Sequence, residues 1–236
     1  MQNSLNRDQC LKRIKDAIYL NRTGGQQGRD KRDIVCDKTL LTYFNNCNNQ
    51  NTDATLISSV FGEVTTLFAE AVESYRYGHF EAAMTMLRSS IDALFFSLGE
   101  RKLKWTDKEK GLFSLEPAMP IEWWESAKPS HTDSKMREHS QSIPERGYLS
   151  GIEFNKLKKL REKGNFSAHF FARRTKELAK LINDLKNTRS TDLRQKAVQN
   201  MKYYTSDEEA NAAITEAMNL ILKVEAAHTS YLMKTL

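Results

Sequence analysis

The chain has 236 residues, of which 39% are hydrophobic and 28% charged. This balance supports a folded globular core and excludes a wholly disordered chain. No apolar run approaches the roughly 18 residues that span a bilayer, and the first residues lack the apolar centre of a secretion signal. The three cysteines show no metal-binding or disulfide spacing. We therefore expect a reduced protein of the cytoplasm without membrane contact.

The formal net charge of +6 is unevenly distributed along the chain. Residues 151–204 contain fourteen Lys/Arg against five Asp/Glu, so most of the positive charge lies in this segment. A basic stripe is typical of proteins that bind the phosphates of nucleic acids. A solvated, lysine-rich helix face shows the same pattern, and the composition leaves both interpretations open.

The N-terminal residues 1–54 are predicted to be a basic appendage to the main domain. A short helical period is followed by the loop-like stretch "NRTGGQQGRDKRD" and by an asparagine-rich boundary. The main domain is then expected over 55–236.

Two helices are predicted at the start of that domain. Apolar residues recur with helical spacing from Ile57 to Tyr75 and again from Phe80 to Leu98. Between these runs, Gly78 suits a helix C-terminus, and the short connection predicts that the two helices are antiparallel neighbours.

The rest of the domain is predicted to be helical after a long insertion. Residues 101–150 contain all four prolines and no clear period, which indicates a loop insertion. A third helix is expected over about 150–171, with further helical pattern through 171–204. Ser206 and Glu209 have the spacing of a capping box and open the last helix. The apolar residues of that helix, from Ala210 to Tyr231, are expected to share one buried face. These elements predict an all-α, up-and-down bundle of four to five helices.

One polar stripe on the third helix is a candidate site. Arg161, Asn165 and His169 are spaced four residues apart, so they share one helix face. Gly164 interrupts this helix at a cost of about 1 kcal/mol relative to alanine, which predicts close approach of another backbone or of a ligand. The stripe could carry out chemistry or serve only in packing.

Other residues are candidates for the same site. Arg88 and Asp92 lie four apart on the second helix and predict either an intrahelical ion pair or part of one shared pocket. Arg173 and Arg174 are candidate binding residues in the basic segment. The spacing of His131, Asp133 and His139 fits no standard metal site, so we expect neither a metal nor another cofactor.

Three stretches of the sequence, taken together, resemble one known protein superfamily. The hairpin "AEAVESYRYGHFEAAMTMLRSSIDALFFSL", the later "LREKGNFSAH" and the capped last helix resemble the HEPN superfamily of helical bundles. The closest likeness is to a bacterial branch of unknown function with an "LR..GN..AH" motif. The match covers about 65–100, 157–170 and 205–232.

The resemblance implies a helical bundle that is often a homodimer. Many HEPN proteins are metal-independent ribonucleases of toxin or phage-defence systems, with a site of the form R-[N/H/D]-x-x-x-H. Asn165 and His169 match this form, Gly164 occupies the arginine position, and Arg161 stands one helical turn earlier.

In such a site His169 would transfer protons, Arg161 would stabilise the phosphate and Asn165 would orient either group. The expected partner is RNA or a nucleotide. The alternative is a non-catalytic helical interaction module that forms a homodimer and binds a partner protein or antitoxin.

Overall fold

The structure, a computed structural model, describes Gln9, Lys12 and residues 23–49, 54–107, 109–110, 112–117, 129–165, 167–168 and 205–235. The described part is predominantly helical, as predicted. Its helices are α1 (Gly25–Asn49), α2 (Ala54–Arg76), α3 (Phe80–Glu100), α4 (Pro129–Glu145), α5 (151–165) and α6 (Asp207–Lys234). A hairpin of two strands, β1 (Arg101–Asp107) and β2 (Leu112–Pro117), is inserted between α3 and α4.

The apolar faces predicted for α2 and α3 form the centre of the core. From Val60 onward, nearly all of their periodic residues are buried because the two helices pack along each other and against α6. The largest fully buried side chains of the pair are Phe61, Phe68, Phe80, Leu87, Ile91 and Leu94. No described helix is long and apolar enough to cross a membrane.

Glycines end two of the helices with the same hydrogen-bond pattern. Gly78 has φ +75°, and the next residue, His79, donates its N–H to Ser74 O after α2. Gly147 has φ +69°, and Tyr148 donates to Ile143 O after α4. This 6→1 bond together with a left-handed glycine is the Schellman motif. It confirms the helix end predicted at Gly78.

Capping boxes begin the last two described helices, α5 and α6. Ser206 and Glu209 exchange hydrogen bonds at the start of α6, as predicted. Ser150 and Glu153 form the same arrangement at the start of α5, where the S-x-x-E spacing was overlooked. The α6 start is also tied to α3, because Thr205 N donates to Glu81 Oε1 at 3.1 Å.

The N-terminal segment differs from its prediction as an appendage. The part of the predicted loop from Gly25 to Asp33 belongs to α1, and Cys36 and Tyr43 on this helix are completely buried in the core. The helix has little hydrophobic periodicity because most of its surface faces solvent. Contact with α2 and α6 therefore makes α1 part of the bundle.

The segment 101–150 is likewise more structured than the predicted loop insertion. β1 pairs with β2 in antiparallel register from Arg101↔Pro117 to Asp107↔Leu112, with a bulge after Trp105. Helix α4 then packs on α3. Its buried residues Met136 and Ile143 are seven positions apart. Most residues between them are polar, so the sequence shows no clear apolar period and did not predict this helix.

Two other predictions have different outcomes. Tyr231, expected on the buried face of α6, is 36% exposed and lies at the edge of that face. The helices predicted within 171–204 lie outside the described residues.

Candidate functional site

Gly164 is buried where α5 crosses α3. A Cβ at this position would stand 2.4 Å from Met84 O and 2.5 Å from Arg88 Cβ. Such distances are far shorter than van der Waals contact, so only glycine permits this crossing. The predicted close approach of another backbone is confirmed, and that backbone belongs to the helix that carries Arg88 and Asp92.

Asp92 joins arginines from two helices. Its Oδ1 accepts a hydrogen bond from Arg161 Nε on α5. Its Oδ2 lies 3.3 Å from Arg88 Nε on α3, although that N–H is buried and not aligned for a hydrogen bond. The structure thus brings together three of the predicted site residues, which we call the arginine–aspartate cluster.

The cluster is positive and only partly exposed. The side chains of Arg88 and Arg161 are each 30% exposed and that of Asp92 is 24% exposed. Two guanidinium groups facing one carboxylate leave an excess positive charge. Because partial burial lowers the effective dielectric, this charge attracts an anion more strongly than a fully solvated cation would.

A polar edge of α5 extends the cluster along the surface. Lys158 precedes Arg161 by three residues and Asn165 follows it by four, and both are exposed. Side chains at these spacings are neighbours on a helix. Lys158, Arg161 and Asn165, which we call the α5 polar edge, are therefore continuous with Arg88. The predicted residues His169, Arg173 and Arg174 lie outside the described residues.

The opposite side of α5 is pinned to α6 by ion pairs. Lys156 Nζ lies 3.2 Å from Glu216 Oε1, and Glu153 accepts a hydrogen bond from Lys223. The bonds from Lys223 and from Ser150 lower the pKa of Glu153 to about 2. An open groove of about 480 Å³ runs beside these pairs and contains none of the predicted site residues.

The metal prediction can be examined only within the described residues. There, no group of three His, Cys, Asp or Glu side chains is placed to hold a metal ion. The ring of His139 lies against Gly99, where a Cβ would be 2.2 Å from Nε2, and burial lowers the pKa of this histidine. The side chains of His131 and Asp133 lie outside the described residues.

A buried arginine at the base of α1 was missed. Arg32 is 3% exposed and donates hydrogen bonds to Thr23 O at 2.7 Å, Asp207 Oδ2 at 3.1 Å and Arg76 O at 3.2 Å. Tyr75 donates to the other oxygen of Asp207 at 2.6 Å. These bonds satisfy the buried charge and tie α1 and α2 to the start of α6. An arginine in a charged segment gives no sequence signal of burial.

Two buried titratable residues of α6 were also missed. Glu225 and His228 are each 1% exposed. Their spacing from Ile221, four and seven residues, continues the apolar face of the helix and could have revealed them. Both lie far from the arginine–aspartate cluster in sequence, and their hydrogen-bond partners, Tyr43 and Tyr148, do not belong to it.

The buried thiol of the described chain is chemically inert. Cys36 donates its S–H to Val72 O at 3.5 Å, and burial raises the pKa of its thiol to about 12. A thiol that stays protonated is a poor nucleophile and a poor metal ligand. It therefore acts in packing.

The fold and the site define a predominantly helical protein with a partly buried arginine–aspartate cluster between two helices. No protein-family model, curated protein or solved structure matches the chain. Function is therefore argued from the geometry of the cluster and from the quoted motifs.

Proposed function

We propose that this is a HEPN-like RNA-binding protein in which the arginine–aspartate cluster and the α5 polar edge contact the phosphate backbone. The observation that carries the proposal is the convergence of Arg88 and Arg161, from two helices, on the single carboxylate of Asp92. One acid holds two planar cations at the surface, where each retains donors for phosphate oxygens.

The charge of α5 supports an anionic ligand. Residues 151–165 contain five basic and two acidic side chains. Such a helix attracts polyanions over a Debye length, about 10 Å at 0.1 M salt. The α5 polar edge supplies the side of the helix on which a polyanion would bind. A single nucleotide would use the same donors with fewer phosphates, so its binding would be weaker.

The glycine in the arginine position of the HEPN motif has a steric reason here. A side chain at position 164 would collide with Met84 O, so no arginine can occupy that position in this packing. Arg161 precedes it by one helical turn and already reaches Asp92. In our proposal Arg161 and Arg88 supply the cation that the motif requires.

In the catalytic version of this function, the protein cleaves the RNA that it binds. A metal-independent reaction needs proton transfer at the 2′-oxygen and at the leaving oxygen, together with a cation for the phosphate. His169 would transfer the protons, Asn165 would orient the reacting groups and Arg161 would stabilise the phosphate. Such an activity would fit a bacterial toxin or a phage-defence component.

A helical interaction module is the second candidate. Three apolar side chains on the outer surface of α1 are exposed: Ile34 by 72%, Leu41 by 62% and Phe44 by 43%. Ile34 and Leu41 are seven residues apart and Phe44 follows by three, so they lie on one side of the helix. A second copy of the chain, or a protein antitoxin, would cover such a stripe.

The test measures binding and cleavage separately. Binding of a fluorescent single-stranded RNA is followed by anisotropy over a salt series, and cleavage is assayed with EDTA present. The variants are Arg161→Gln and His169→Ala. The matched control is Lys159→Gln, which removes the same charge from the exposed, opposite side of α5.

We expect Arg161→Gln to weaken binding about tenfold, because it removes a direct contact with phosphate. Lys159→Gln should weaken binding less than about threefold, because it removes only a charge on the far side of the helix. Loss of cleavage in His169→Ala with binding retained would support the ribonuclease. Equal losses of affinity in Arg161→Gln and Lys159→Gln would show that RNA binding depends only on the overall charge of the helix and would contradict a specific site. No RNA binding by the wild type would favour the interaction module, which light scattering would detect as a dimer.

A further inference from the structure

The outer face of α1 carries a short repeat of seven residues. The stretches "DKRDI" (30–34) and "DKTLL" (37–41) each place an aspartate, a lysine and, three residues after the lysine, an aliphatic side chain. All six of these side chains are exposed. Because seven residues make nearly two turns of a helix, the second set lies above the first on the same face.

The repeat divides this face into three rows. A helix turns about 100° per residue, so Asp37 lies about 60° to one side of Ile34 and Lys38 lies about 40° to the other side. Ile34 and Leu41 are 72% and 62% exposed and form the central, apolar row. It is flanked by an acidic row, Asp30 and Asp37, and by a basic row, Lys31 and Lys38.

Arg76 on α2 holds the acidic side of α1 in place without neutralising it. Its Nη2 donates a hydrogen bond to Asp37 Oδ1 at 2.6 Å. The same guanidinium pairs with Asp33 at 3.4 Å and with Glu73 at 3.1 Å. Three carboxylates around one guanidinium leave an excess of negative charge, and the Asp37 side chain is 72% exposed. The apolar row therefore lies between charges of opposite sign.

Such a face is complementary to a copy of itself in one orientation. In a parallel pair the two-fold axis runs along the helices, so the basic row of one helix meets the acidic row of the other. In an antiparallel pair the two-fold axis crosses the helices, so lysines meet lysines and aspartates meet aspartates. The parallel pair is thus the arrangement in which the apolar rows touch and each flanking charge faces its opposite.

We infer that two copies of this chain associate through α1 in parallel, with the apolar rows in contact and the basic row of each copy paired with the acidic row of the other. Ile34 and Leu41 each meet the same residue of the second copy, and the exposed Phe44 extends the contact. The inference names the occupant of the surface on which the second candidate function rests, and it does not depend on RNA binding by the arginine–aspartate cluster.

The contact is short, so the dimer is expected to be reversible. The helix rises about 21 Å from Asp30 to Phe44. A strip of this length buries no more than the smallest standard interfaces, about 1,200 Å² in total. We expect a dissociation constant on the order of micromolar and a monomer at lower concentrations. Exposed ion pairs add little affinity, but they select the orientation.

Charge reversal of the flanking rows tests the pairing. Analytical ultracentrifugation of the full-length protein, without RNA, measures dimerisation from about 1 to 200 μM. Lys31→Glu/Lys38→Glu makes both rows acidic, and Asp30→Lys/Asp37→Lys makes both rows basic. We expect each double variant alone to dimerise at least about tenfold more weakly, because like charges then face each other. An equimolar mixture of the two variants should form a dimer again, because opposite charges meet.

The matched control changes the net charge elsewhere. Lys159→Glu/Lys163→Glu makes the same change of net charge as the acidic variant, at two exposed positions of α5. It should leave the dimerisation constant within about twofold of the wild type, because it acts only through general electrostatics. Circular dichroism verifies that all variants are equally helical.

Cysteine crosslinking measures the orientation without changing the charged rows. Ile34→Cys and Leu41→Cys are made separately in a chain that also contains Cys10→Ser and Cys47→Ser. In a parallel pair each new cysteine lies opposite its counterpart at a distance that a disulfide can span. Both variants should therefore form a covalent dimer on mild oxidation. Ile152→Cys, at an exposed position of α5, should remain monomeric under the same conditions.

Three results would overturn the inference. A wild type that stays monomeric over the whole concentration range has no such interface. A dimer that the charge reversals weaken no more than the α5 control uses another surface. A dimer that crosslinks at only one of the two cysteine positions, or at neither, is not a parallel pair through α1. None of these measurements uses RNA, so this inference and the proposed RNA binding can fail separately.

Discussion

Gly164 on α5 lies against the carbonyl oxygen of Met84 on α3, with no room for a side chain between the two helices. This contact brings Arg161 within reach of Asp92 and so forms the arginine–aspartate cluster. The geometry of the candidate site thus depends on a residue that carries no functional group.

We expect Gly164→Ala to destabilise the protein by about 1–3 kcal/mol, because the added methyl group forces the helices apart. Urea denaturation followed by circular dichroism measures the change. Gly151→Ala is the control on the same helix, since nothing lies within 4 Å of a Cβ at that position. The control should be neutral or stabilising by up to about 1 kcal/mol. Equal effects at both positions would mean that the crossing is looser than described.

The ion pair between Asp92 and Arg161 should couple the two residues energetically. A double-mutant cycle with Asp92→Asn and Arg161→Gln is expected to give a coupling energy of about 1 kcal/mol that falls with added salt. Thermal unfolding at 50 mM and 500 mM NaCl provides the measurement. Additive effects of the two substitutions would show that the pair contributes nothing to stability.

Arg32 should be among the most sensitive positions of α1. Arg32→Met removes three hydrogen bonds and leaves the Asp207 carboxylate without its cation, so we expect a loss of about 3–5 kcal/mol. Lys31→Met, at an exposed position of the same helix, should change stability by less than about 0.5 kcal/mol. Chemical denaturation compares the two variants, and a similar small effect in both would contradict the buried role of Arg32.

The pH dependence of stability should reveal the buried acid of α6. The folded state holds the proton of Glu225 up to about pH 8, whereas the unfolded chain releases it near the ordinary value of 4.5. Stability contributed by this group is therefore full below pH 4.5 and falls as the pH rises toward 8. Glu225→Gln should remove this fall and raise the melting temperature at pH 8 relative to the wild type. A wild type whose stability stays constant from pH 5 to pH 8 would contradict the shift.

At acid pH the stability changes in the opposite direction with pH, and the residue responsible is His228. His228 remains neutral in the folded state down to about pH 4, whereas the unfolded chain takes up a proton near 6.5. Its contribution is full above pH 6.5 and is lost as the pH falls toward 4. His228→Asn should flatten this limb in a thermal melt series, and the exposed His79→Asn should leave it unchanged.

Local sequence signals determined the central helices and the start of α6. The apolar spacing in α2 and α3, the glycine at position 78 and the capping box at Ser206 each follow from local backbone and side-chain chemistry, and each is present as predicted. Local rules succeed here because one helix face supplies most of the burial. They failed for α1 and α4, whose few buried residues are separated by polar ones.

Only the tertiary structure decided which polar residues are buried and which of them meet. Arg32 and Arg161 look alike in the sequence, yet one is enclosed by three acceptors and the other lies at a partly exposed helix crossing. Glu225 and His228 occupy positions that an apolar residue could fill. Helical spacing determines which side chains share a face, whereas the partner opposite that face comes from a distant part of the chain and depends on how the helices pack.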